Sequence, residues 1–462
     1  MNDVIVVGGG ASGLAAAIEA ARGGCRVTVL EQKERTGKKI LATGNGRCNL
    51  TNLHMDPDTC YRGGNPAFVR DVLGRVTVAE TLVWFGDLGI PTKDRNGYVY
   101  PRSDQASAVA EALAMEAEHL GVRILCGMRV ESISFKGENS GNLRTAGEFA
   151  VTAEDRTDGE RKVGERKAGE QKARRRETFR SRAVILAAGS KAAPATGSDG
   201  SGYELAEALG HKIIPPLPAL VQLICRGRIF RQLAGIRTDG RIRLLVDGEP
   251  AAADRGEVQL TEQGISGIPA FQVSRFASAS LAAGRQVEAS LDFLPDWNRE
   301  QILEFLTARR SRLAYRKGES FLSGLFAGKL GAVLMSSAGI SLTDPVSQIP
   351  DRKLEKLADQ IRDFRAPVTG TRSFDSAQVC CGGVCADQVF GATMESRITP
   401  GLYLTGELLD VDGICGGYNL QWAWSTGILA GRSAAKERNV VRIGSPSRSG
   451  AFHGRKERGL SK

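Results

Sequence analysis

The chain has 462 residues, too many for one ordinary hydrophobic core, so two or three domains are expected. Its 42% hydrophobic and 25% charged residues exclude a disordered or fibrous chain, and 56 glycines are the one clear excess. The net charge of +10 resides in two segments, +4 over 154–182 and +6 over 436–462, so no basic face is implied and no nucleic-acid partner is expected.

Residues 1–3 lead straight into an apolar run without the features of an export signal, and no stretch offers the roughly 20 apolar residues of a membrane span. A cytoplasmic protein is expected, in which the nine cysteines stay reduced. Val4-Ile5-Val6-Val7 predicts a strand buried on both faces of a parallel sheet. Residues 12–22 predict a helix, Gly23-Gly24 its stop and 25–30 a second strand, which together make a βαβ unit. Residues 104–120 predict a helix capped by Ser103 or Asp104, followed by strands over 122–126, 129–135, 148–153 and 183–187. Before the last of these lies a polar five-residue near-repeat beginning at Gly159, Gly164 and Gly169, which reads as a solvated extension of a hairpin.

After Gly189 the βαβ rhythm stops. Pro215-Pro216, strands over 241–246 and 286–293 and helices over 299–308 and 352–364 predict a separate unit over 192–375. The dinucleotide-binding domain is then split into 1–191 and 376–438, with a disordered basic tail over 439–462.

The chemistry begins at Gly8-Gly9-Gly10-Ala11-Ser12-Gly13, a G-x-G-x-x-G placed between a strand and a helix. Gly8 permits a tight turn, Gly10 brings backbone amides to a pyrophosphate, and Gly13 allows close helix packing. Glu31 ends the second strand where an acid binds a ribose diol. This fingerprint alone does not separate FAD from NAD. Two further segments do. Residues 37–52 are too polar and glycine-rich for a crossover helix and read as a wrap around a ligand. Residues 401–423 run from a strand through a polar loop to a helix start, with Glu407 a candidate for the ribityl chain and the amides of 417–419 for the pyrimidine side of a flavin.

These segments, with Gly264-Ile-Ser-Gly267, Cys381-Gly382-Gly383-Val384 and Thr393-Met-Glu-Ser396, resemble the bacterial flavoprotein family that contains 3-dehydro-bile-acid Δ4,6-reductases, over nearly the whole chain. The resemblance implies an α/β fold, a glutathione-reductase-like FAD-binding Rossmann domain interrupted by a small β-barrel plus helices. It implies tight, non-covalent FAD held by Gly8, Gly10, Ser12, Gly13, Glu31, Lys39, Gly44, Arg47, Asn49, Gly406, Glu407, Asp412, Gly417 and Asn419, with Val130 meeting the adenine through its backbone. It also implies reduction of a C=C bond conjugated to a ketone in a small apolar steroid or bile acid, free or as its CoA thioester. The chain departs from the family pattern at 189–194, where relatives carry a second glycine and a Ser-Tyr pair, and in the polar insert over 154–182.

Tyr418, beside the flavin-facing helix start, is a candidate acid or carbonyl polariser. No second G-x-G-x-x-G occurs, so NAD(P)H is expected to visit transiently as the hydride source. Cys380, Cys381 and Cys385 bring no second ligand pair and read as buried small residues rather than a metal site. Two rival functions stay open: action on another apolar carbonyl compound or a quinone, and a flavin-bearing RNA-binding or modification protein that uses the arginines at 174–176 and the basic tail.

Overall fold

The computed structural model describes residues 2–137, 139–140, 143–144, 147–157 and 175–443. The near-repeat over 159–173 and the tail from 444 lie outside the described residues.

The predicted βαβ unit is present. Strand Asn2–Val7 lies between Val27–Glu31 and Arg176–Leu186, parallel to both, with helix Ala11–Arg22 between the first two strands. Arg123–Cys126 and Leu402–Leu404 extend the parallel part of the sheet. Glu148–Asp155 and Met128–Lys136 continue it antiparallel, giving seven strands. Full burial of Val4–Val7 and Val27–Glu31 explains their unbroken apolar character. The predicted hairpin is real, since Glu148–Asp155 pairs with Arg176–Leu186 out to Glu154 and Arg176.

The predicted cap at Ser103 or Asp104 is not formed. Helix Ala106–His119 starts after Gln105, while the Asp104 carboxylate is taken by Lys93 at 2.5 Å and Arg95 at 2.7 Å. Both cations of the neighbouring hairpin hold Oδ2 while Oδ1 has no partner, and the Asp104 backbone, at φ 55°, is not in the extended conformation of an N-cap.

The second unit has its own core around a closed six-stranded barrel, made by Leu223–Cys225, Gly264–Ser266, Glu249–Thr261, Arg237–Val246, Val287–Asp292 and Phe364–Thr371. Helices Arg299–Arg312, Gly328–Ser337 and Asp351–Arg362 pack into that core. The change of unit comes later than residue 192. Helix Ser201–Ala208 places Tyr203, Leu205 and Ala206 in the core of the first unit, and Ile213–Ala219 pairs with Val379–Val384 as a two-stranded bridge between the units.

Two contacts aim these elements at one place. Helix Tyr418–Ile443 crosses helix Ala11–Arg22 backbone to backbone. A Cβ on Gly427 would lie 2.3 Å from the Ser12 carbonyl oxygen, and one on Gly431 2.4 Å from that of Ala16. Glycines four apart therefore let the helices touch, and both N-termini face the same space. Glu19 secures the crossing. Burial pushes its carboxyl up, but hydrogen bonds from Arg432 and Trp84 hold it below its ordinary value.

Candidate functional site

A cavity of about 620 Å³ opens beyond the C-terminal ends of the parallel strands. Its wall takes residues that follow three of those strands, Gly8–Ser12, Gln32 and Ala187–Gly189, together with Glu407 after Leu402–Leu404. In open α/β sheets this crevice is where ligands bind.

The three fingerprint glycines have distinct tasks. A Cβ on Gly8, whose φ is +103°, would meet the Ala187 carbonyl oxygen at 2.4 Å. A Cβ on Gly13 would lie 1.9 Å from the Gly8 carbonyl oxygen. These two let the turn and helix close on the sheet. A Cβ on Gly10 would meet nothing within 4 Å, because Gly10 faces the cavity at the N-terminus of helix Ala11–Arg22. That cradle of backbone amides is matched to an anionic diphosphate.

Glu31 lines the cavity and accepts hydrogen bonds from the Gly9 amide at 2.7 Å and the Lys33 amide at 2.8 Å. Burial raises its pKa in spite of those donors. Val130 lines the same end. Lys39 and Glu407 meet with Nζ 2.6 Å from Oε2, and Ser190 donates to the same oxygen at 3.1 Å. At the far end Asn49 is buried with its Oδ1 unpartnered, beside Gly417. A Cβ on Gly417, at φ +96°, would collide with that oxygen at 2.8 Å and with the Thr51 carbonyl at 2.6 Å.

Ser12, Gly44 and Asn419 also line the cavity, so the fold brings together eleven of the sixteen residues singled out from sequence. The other five do not line it. Gly13 packs against Gly8, and Gly406 packs against Ser12. Arg47 is exposed after the turn Ile40–Gly46.

Asp412 faces the second unit instead. Arg275 donates to its two oxygens at 2.9 Å each. Tyr418 is the remaining correction. Its hydroxyl donates to the His54 carbonyl at 3.0 Å, and its own carbonyl accepts from Tyr61 at 2.7 Å. With its only proton already committed and its ring buried outside the cavity, Tyr418 is placed to pack rather than to act on a ligand.

Sequence reasoning missed a second group. Tyr98, Tyr100, Leu220, Ile268 and Phe271 line the cavity beyond Gly416 and Cys415. Helix Ile268–Ala282 from the second unit carries Ile268, Phe271 and Arg275 at spacings of three and four, so one helix face meets both the cavity and Asp412. Non-glycine residues held at positive φ mark the wall as well: Asn45 at 53°, Ala193 at 57° and Leu220 at 49°. Such backbone is tolerated where surrounding structure fixes it, commonly at ligand sites. Neither feature leaves a trace in local sequence pattern.

The polar groups fit an FAD: amides at a helix start, an acid at a strand end, a lysine and an orphaned buried amide oxygen along one continuous cavity. Among the described residues no helix is long and apolar enough to cross a membrane.

The profile of the HI0933-like protein Rossmann domain matches residues 2–161 and 146–433. The 3-dehydro-bile acid delta(4,6)-reductase of Clostridium scindens is 45% identical over 438 residues, 94% of this chain and 100% of that protein. The ribosomal RNA dihydrouridine synthases of Haemophilus influenzae and Escherichia coli are each 28% identical, over 94% and 92% of this chain and 99% and 96% of theirs. The chain therefore belongs to the HI0933-like Rossmann family, the bacterial FAD-dependent oxidoreductase family that contains 3-dehydro-bile acid delta(4,6)-reductases.

Proposed function

We propose that this chain saturates a C=C bond conjugated to a ketone in a steroid-sized apolar substrate of the 3-oxo-Δ4,6 bile-acid class, with NAD(P)H as the transient reductant. In the balanced reaction NAD(P)H gives two electrons and one hydrogen, solvent gives a proton, and the alkene becomes CH–CH. The observation that carries this reading is one cavity with two characters. Gly10, Glu31, Lys39 and Asn49 make one length polar, and Leu220, Ile268 and Phe271 make the other apolar. FAD bound along the polar length supplies the capacity to take two electrons from a nicotinamide and pass them to carbon.

The residues named for FAD have separable tasks. The Gly8–Ser12 turn binds the diphosphate, Glu31 and Val130 the adenosine end, Lys39 and Glu407 the middle, and Gly44, Asn49, Gly417 and Asn419 the isoalloxazine end. The apolar walls exclude water around the reacting carbon and strengthen every polar contact made there. The 45% identity to a delta(4,6)-reductase supports this substrate class above others.

A second reading takes its support from the two ribosomal RNA dihydrouridine synthases. Uridine also presents a double bond conjugated to a carbonyl, so the chemistry is shared and the substrates differ. Anaerobic incubation of the yellow protein with NADH or NADPH and a 3-oxo-Δ4,6 bile acid separates the two. Formation of the reduced 3-oxo acid supports the steroid reading. Return of the dienone unchanged, with dihydrouridine formed in ribosomal RNA instead, replaces it.

A further inference from the structure

The cavity wall carries several ionisable groups, and most are already engaged. Glu31 accepts two backbone amides, and Lys39 is paired with Glu407. Lys38 is paired with Glu34, Arg129 with Asp199, and Asp375 accepts from the Ser373 hydroxyl. Cys415 is a thiol that burial pushes up to about 12. Two groups remain.

Tyr98 and Tyr100 lie on strand Tyr98–Pro101, where Val99 and Pro101 are buried and the two tyrosines are half-buried. A period of two places both rings on one face of the strand. That face borders the cavity. The Tyr100 ring lies 3.5 Å from the position of a Cβ on Gly44, and the Tyr98 ring 3.0 Å from that on Gly416. The pair thus spans the gap between the two turns that close the isoalloxazine end. Among the described residues neither hydroxyl has a hydrogen-bond partner within the protein, in contrast to those of Tyr61 and Tyr418. Burial raises the Tyr100 pKa, which keeps that phenol a donor at neutral pH.

The same cavity has a hydrocarbon stretch of wall. Phe271 and Cys415 pack on a common small cluster with Ala219, Leu220 and Val379, and Cys415 adjoins Gly416, which touches Tyr98. Ile268 stands at the edge of the cavity with 56% of its surface exposed.

We propose that Tyr98 and Tyr100 are the carbonyl-binding pair of this cavity: their hydroxyls donate to the ketone oxygen of a flat apolar substrate whose hydrocarbon body lies against Leu220, Ile268 and Phe271. This rests on the substrate reading above and gives it its polar anchor. Two donors on one oxygen fix the orientation of the ring system and draw electron density toward that oxygen, which makes the conjugated carbon electron-poor. Phenylalanine at both positions keeps the apolar shape and removes only the donors.

The test is equilibrium binding to the FAD-loaded protein, read by calorimetry, of a saturated 3-oxo steroid that cannot be reduced further, against the same steroid with a 3-hydroxyl. Wild type is expected to prefer the ketone. Tyr98→Phe and Tyr100→Phe should each weaken ketone binding roughly fivefold to tenfold, and the double variant should lose the preference while keeping its FAD and its affinity for the hydroxysteroid. A double variant that keeps FAD and still prefers the ketone overturns the pair alone. A wild-type protein that binds neither steroid overturns the substrate reading and the pair with it.

Discussion

Arg275 of the barrel unit holds Asp412 of the dinucleotide-binding unit by two hydrogen bonds of 2.9 Å, Nε to one oxygen and Nη2 to the other. Asp412 is 2% exposed, and burial pushes its carboxyl up to about 6 even against this cation. Arg62, on strand Tyr61–Gly63 paired with Val411–Gly413, adds a second positive charge nearby. The ion pair ties helix Ile268–Ala282, which carries Ile268 and Phe271 of the cavity wall, to the segment leading into Gly416 and Gly417.

Removal of Arg275 leaves a buried carboxylate to be neutralised by a proton. An acid whose folded pKa lies above its unfolded value contributes stability at low pH that is lost as pH rises through the folded value, here about 6. Arg275→Ala is therefore expected to cost about 3 kcal/mol at pH 8, where Asp412 must be ionised or take its proton at a penalty, and clearly less at pH 5. Denaturant midpoints of variant and wild type at the two pH values measure this. An equal cost at both refutes the buried-charge account.

The fingerprint glycines separate folding from binding. Gly10 has φ −83°, which alanine adopts freely, and its Cβ would enter open cavity. Gly10→Ala should leave the melting temperature of FAD-free protein unchanged and lower FAD content on purification. In Gly13→Ala the new Cβ meets the Gly8 carbonyl at 1.9 Å, so the helix must shift, at about 1 to 3 kcal/mol. That loss should be visible without FAD. Indistinguishable variants would mean that Gly10 is not the ligand-facing position.

Tyr418→Phe removes one hydrogen bond to the His54 carbonyl, which keeps only the weaker Cys60 thiol donor at 3.7 Å. A loss of about 1 kcal/mol in stability with unchanged turnover is expected. A variant with native stability and a collapsed rate would return Tyr418 to the reaction.

Much of the first unit was legible because its signals are local. Continuous apolar strands, a G-x-G-x-x-G between strand and helix, and Glu31 at a strand end all follow from backbone geometry within some thirty residues. The resemblance implies Asp412 as a flavin contact, yet in a strand the direction of a side chain alternates, and its partner Arg275 lies 137 residues away. The apolar half of the cavity was invisible for the same reason. Phe271 and Tyr98 become neighbours of one turn only when the barrel unit docks, and Tyr-Val-Tyr after Gly97 has the pattern of any short exposed strand.

Lys39 and Glu407 face each other across 368 residues of sequence, so the polar length of the cavity exists only in the folded chain. Their side chains are 25% and 20% exposed, and the pair itself contributes little to stability once solvent screening is counted. Its weight falls on the anion expected beside it. With both residues present their charges cancel. Lys39→Met leaves Glu407 repelling a diphosphate and should weaken FAD binding roughly tenfold, whereas Glu407→Gln leaves a net positive wall and should retain FAD. Raising salt should narrow the difference between the variants, since screening acts on the repulsion. Titration of FAD into each FAD-free variant at low and high salt measures both effects. Equal weakening in the two variants would instead assign the pair a structural task, holding the 37–46 segment against the strand-end loop at Glu407.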